Sequence, residues 1–139
     1  LSCPIGSVVS GDKDFILRAK KWRKMLGSGM RQVGLIAAAG RVALRTMIDR
    51  LEEDHESAQI LAKKLSNIKN LFVDLNLVKT NIIFIYLKHI KLSDEEFLFQ
   101  LKENNIKIDY KGNRKFRLVT HSGISHDDVR YVIKMFNAI

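Results

Sequence analysis

The sequence predicts a chain of mixed helix and strand that closes in a small α+β domain. Three observations carry this. Apolar residues fall at helical spacing between Phe15 and Leu65. From Leu71 the pattern changes to short strand-like runs. Two capping boxes, Ser93 with Glu96 and Ser125 with Asp128, then open helices late in the chain.

The elements follow in order. Residues 5–10 read as a short strand, with Pro4 placed where it removes no ladder hydrogen bond. Asp12 is an N-cap for a helix to about Leu26, whose apolar face carries Phe15, Ile16, Ala19 and Trp22. Trp22 is expected on the buried side. Gly27-Ser28-Gly29 ends that helix. A long helix is expected over residues 31–65, with a break near Asp54 as the alternative. Its first half is rich in small residues that let another backbone approach closely. Residues 71–75 and 81–87 read as strands, the second nearly all apolar and therefore central. A helix through Lys102 follows. Residues 106–110 and 116–120 form two more strands joined by a turn at "KGNRK", and a last helix runs through Phe136. The order from Leu71 is β-β-α-β-β-α, which places helices on one face of a mainly antiparallel sheet. Residues 1–50 read as the tail of something larger, 51–66 as a linking helix and 67–139 as a compact small domain.

At 139 residues with 46% hydrophobic content, the chain can bury a core and is not read as disordered. No apolar run approaches the roughly 18 residues of a membrane span. The first residues lack a basic segment followed by an apolar core, so no signal peptide is expected. The missing initiator Met suggests a fragment. The single Cys3 excludes an internal disulfide and fits a reducing, cytoplasmic setting. The net charge is +9. Its excess lies in the first third, where nine Lys and Arg stand against Asp12 and Asp14.

Two constellations bear on chemistry. In "KKWRKMLGSGMRQ" a basic helix end, a Gly-rich loop and a helix start gather cations and backbone N–H groups, with Arg31 expected at the start of the second helix. The stretch is either a nest for a phosphate or carboxylate, or a plain connector. In "KFRLVTHSG", Arg117 shares a strand face with Val119 and His121, opposite Phe116, Leu118 and Thr120. A strand arginine among apolar residues needs a partner, either an internal Asp or Glu or a substrate carboxylate. His55, His89 and His126 are expected to be exposed, while His121 is the one histidine placed to line a site. No spacing of His, Cys and carboxylates suggests a metal. The basic stretch lacks interleaved aromatics, which argues against a nucleic-acid partner.

These strings carry a resemblance. "CPIGSVVSG", "RAKKWRKMLGSGMRQVGLIAAAG", "RLEEDHESAQILAKKL", "TNIIFIYL" and "FRLVTH" resemble, in order and spacing, the C-terminal part of the low-specificity L-threonine aldolases. That family usually has Gly where Ser28 stands. The resemblance implies an α/β enzyme of pyridoxal-phosphate fold type I, with residues 1–50 the end of its large cofactor-binding domain and 67–139 its small domain. It implies cleavage of L-threonine or L-allo-threonine to glycine and acetaldehyde. It implies that Arg117 binds the substrate carboxylate, that Lys24 binds substrate, and that Arg31 serves the cofactor phosphate. The cofactor-bearing lysine is expected two residues before Leu1, so no catalytic residue is expected in this chain and the fragment alone is not expected to be active. A homo-oligomer, dimer or tetramer, is implied, as is a partnership with the N-terminal part of the same protein. The rival readings are a β-eliminating lyase of the same fold, a basic nucleic-acid-binding module, and a regulatory domain without catalysis.

Overall fold

Why the chain breaks where it does is clearest at its glycines and acids. The computed structural model describes residues 1–3, 6–88 and 91–139. It divides into two units, residues 1–49 and 50–139.

In the first unit, α1 spans Lys13–Met25. Asp12 caps it, its carboxylate accepting from the Phe15 N–H at 2.7 Å. The helix stops in a Schellman motif. The Ser28 N–H donates to the Arg23 carbonyl at 3.0 Å and the Gly27 N–H to the Lys24 carbonyl at 3.2 Å. This requires a left-handed residue, and Gly27 has φ +83°. The second helix, α2, spans Gly34–Thr46. It begins three residues later than expected, leaving Arg31 in the preceding turn, where Gln32 has φ +52°. Residues 6–10 form no strand, and Ile5 lies outside the described residues. A strand needs a ladder partner, and all strands among the described residues lie between Leu71 and Val119.

The expected helix over residues 31–65 is two helices, α2 and α3, the latter spanning Leu51–Leu65. The break falls at residues 47–50, ahead of Asp54. Arg45 sits in the last turn of α2, while Glu52, Glu53 and Asp54 crowd the first turn of α3, so each helix end carries the charge its dipole favours. The α3 helix, expected as a linker, belongs to the second unit, where Ala58, Leu61, Ala62 and Leu65 enter the core.

That second unit follows the order β-β-α-β-β-α. Its elements after α3 are β1 (Leu71–Phe72), a 3-10 turn at Leu75–Leu77, β2 (Ile82–Leu87), α4 (Asp94–Glu103), β3 (Asp109–Tyr110), β4 (Lys115–Val119) and α5 (His126–Ala138). The sheet is antiparallel throughout, in the order β1-β2-β4-β3. Two strands are shorter than expected, for local reasons. Asp74 accepts from the Asn76 N–H at 3.0 Å and turns the chain out of β1. After α4, Asn105 takes φ +57° and the Ile106 N–H bonds back to Leu101, so that donor serves the helix end and not a ladder. Both capping boxes form.

The inner sheet face, with Ile83, Ile85, Leu87, Phe116 and Leu118, packs into one apolar cluster with α3, α4 and α5. Phe97 stands edge-on to Phe116 and Phe136, with centroids at 5.2 and 5.8 Å. No helix among the described residues is long and apolar enough to cross a membrane.

Candidate active site

The two constellations fall in different units. In the first, the end of α1 and its Gly-rich loop line an open hollow with Lys20, Arg23, Lys24, Gly27 and Ser28. Lys24 is therefore gathered with two other cations. The hollow lies at the C-terminal end of α1, where cations offset the negative end of the dipole, so these side chains have a structural use as well. Arg31 does not line it; it is exposed in the turn before α2. Trp22, expected to be buried, is 59% exposed. The reason is that α1 buries none of its side chains within its unit.

The second constellation is built by the sheet. In β4 the alternation turns Phe116, Leu118 and Thr120 inward and leaves Arg117 and Val119 on the open face. Thr120 donates its hydroxyl to the Asp54 carbonyl at 2.6 Å, tying the end of β4 to α3. Arg117 lies between Phe84 of β2 and Asp109 of β3 as its cross-strand neighbours. Its Nη2 is 2.8 Å from Asp109 Oδ2, and Lys111 Nζ is 2.6 Å from the same oxygen. The hydrogen bond from Lys111, and then the charge of Arg117, hold the Asp109 carboxyl below the ordinary carboxylate range. Arg117 Nε is buried and finds no acceptor, and Asp109 is the only ion-pair partner of Arg117 among the described residues. A guanidinium has five N–H donors, so most of this one's capacity is unspent. Its side chain is 38% exposed, which leaves the terminal nitrogens accessible to a ligand.

The same open face carries groups that sequence reasoning missed. Lys115 lies over the Phe84 ring at 4.2 Å, and Lys88 lies over Phe72 at 4.1 Å. The face thus presents cations against aromatic rings, and the alternation of "IIFIYL" was the signal that could have revealed them.

The histidines differ from expectation in part. His55 is half-buried, His126 is exposed and His89 lies outside the described residues. His121 is exposed and accepts through Nδ1 from the Gly123 N–H at 3.0 Å, a local turn bond.

A class of protein follows from the fold. A solved Listeria monocytogenes structure described as a candidate L-allo-threonine aldolase matches 93% of this chain, with a TM-score of 0.66 and 17% identity, over 39% of its own length. A C-DES mutant with glycine covalently linked to its PLP cofactor matches 73% of this chain, with a TM-score of 0.63 and 12% identity, over 27% of its length. The fold is therefore that of the α/β fold-type I enzymes.

Sequence places the chain more closely. It belongs to the beta-eliminating lyase family, whose model matches residues 1–89. Low-specificity L-threonine aldolase 1 of Arabidopsis thaliana is 38% identical over 137 residues, covering 98% of this chain. The chain spans 38% of that relative's length.

Proposed function

We propose that the chain is the C-terminal portion of a pyridoxal-phosphate-dependent aldolase that cleaves L-threonine or L-allo-threonine to glycine and acetaldehyde. The observation that carries this reading is Arg117, a half-exposed guanidinium on an open sheet face with one paired nitrogen and most of its donors unspent. The likeness of 98% of this chain to part of a low-specificity L-threonine aldolase supports it.

The residues present fit groups that the cofactor and substrate carry, a phosphate and an α-carboxylate. Lys20, Arg23 and Lys24 surround a glycine-rich loop with backbone close to the surface. When bound, pyridoxal phosphate supplies the electron sink for breaking Cα–Cβ. Arg117 holds the substrate α-carboxylate by two parallel N–H bonds and so orients the substrate. Lys24 adds positive charge for the substrate, and Arg31 for the cofactor phosphate. Residues 1–49 would be the end of the large domain, and residues 50–139, with α3 in their core, the small one. The enzyme works in the cytoplasm as a homo-oligomer, together with the N-terminal part of the same protein.

The test is Arg117→Lys in the full-length enzyme. A point charge cannot replace the planar fork, and the expected result is a fall in kcat/KM for L-threonine of about 10- to 100-fold, a loss of roughly 1.4–3 kcal/mol. Unchanged turnover removes Arg117 from the site. The match to the beta-eliminating lyase family favours a second reading, β-elimination on the same scaffold. Product analysis separates the two: glycine with an aldehyde, or pyruvate with ammonia.

A further inference from the structure

We propose that Asp109 is a positioning residue for Arg117, holding one terminal nitrogen so that the other faces an incoming carboxylate. This rests on the reading of Arg117 as the carboxylate clamp.

The antiparallel register sets Asp109 directly across from Arg117, on the same sheet face. Its Oδ2 lies 2.8 Å from Nη2. Phe84 is the cross-strand neighbour on the other side. The buried Nε has no acceptor. Among the described residues, Nη2 is therefore the one nitrogen of the head held by a partner, and that ion pair fixes which way the planar fork is turned. A carboxylate arriving at Nη1 and the second Nη2 hydrogen would find the fork already aligned.

Asp109 is also suited to staying in place when substrate binds. Lys111 bonds to the same oxygen at 2.6 Å. That second cation offsets the repulsion between Asp109 and a substrate carboxylate sharing one guanidinium, and it keeps Asp109 ionised. The opposite arrangement, in which Asp109 occupies the substrate's place and must be displaced, predicts the reverse kinetics.

The experiment is a double-mutant cycle in the holoenzyme, with Asp109→Ala, Arg117→Lys and the pair. Positioning predicts that Asp109→Ala raises KM for L-threonine about tenfold with kcat within about twofold, and that adding it to Arg117→Lys costs little more. Asp109→Asn, which keeps an oxygen acceptor at the same reach, restores part of the loss, and it carries the comparison if the alanine variant does not fold. An unchanged or lowered KM in Asp109→Ala overturns the proposal while leaving Arg117 as the clamp. An unchanged kcat/KM in Arg117→Lys overturns the clamp itself, and the proposal with it. Full additivity of the two losses shows that Asp109 acts independently of Arg117 and also overturns it.

Discussion

At the scale of single residues, the pairing of Arg117 was available in the sequence. The "KGNRK" turn was expected, and a hairpin centred on Asn113 sets residues 109 and 117 opposite one another, as the observed register does. What the residues alone could not decide was whether the partner was internal or a ligand, and the geometry leaves room for both. The Asp109 pair has a defined pH behaviour. Its carboxyl is lowered by Lys111 and Arg117, so its contribution is present above the unfolded-state pKa and is lost as pH falls through the lowered, folded-state value. The melting temperatures of wild type and Asp109→Asn should therefore differ slightly at neutral pH and converge only in acid below the usual aspartate range. The gap is small because both side chains are partly exposed. Thermal melts across pH check it, and a gap that is constant with pH contradicts it.

At the scale of elements, helix caps were the most legible feature. Asp12, Ser93 and Ser125 each start the helix assigned to them. Strand ends were less legible, because their lengths are set by which donors the neighbouring helix ends and turns consume, as at Asn105 and Asp74. The split between α2 and α3 lacks Gly and Pro, so its only mark is the change from Arg45 to the acids at 52–54. Gly27 offers a clean test of the first loop. A Cβ there would meet no atom within 4 Å, so the cost of Gly27→Ala is purely the left-handed backbone, about 1–2 kcal/mol. Gly29, which is equally open but has no positive φ, should tolerate alanine with little change. Chemical denaturation of the full-length protein distinguishes the two; equal losses would contradict the Schellman account.

At the scale of the molecule, the two units differ in how much they can bury. The second holds an apolar cluster running from Ala58 to Phe136, whereas the first buries only Ala43 in its helices and leaves Leu17, Trp22, Met25, Leu35 and Val42 exposed. A unit without a core cannot offset its chain entropy. A fragment of residues 50–139 is therefore expected to show a cooperative thermal transition by circular dichroism, and a fragment of residues 1–49 none. A cooperative melt of the short fragment alone would contradict this. The small α+β domain was readable from periodicity because its core is internal to the sequence. The environment of α1 was not, because amphipathic spacing identifies an apolar face without saying what lies against it.

The exposure of Trp22 has an optical consequence. It is the only tryptophan in the chain and it stands in the unit that lacks a core. Within this chain, excitation at the red edge of the indole band, where tyrosine is silent, therefore addresses the first unit alone. An emission maximum that moves to shorter wavelength on assembly with the rest of the enzyme would report desolvation of that helix, while the aromatic cluster around Phe97 stays dark to the same beam.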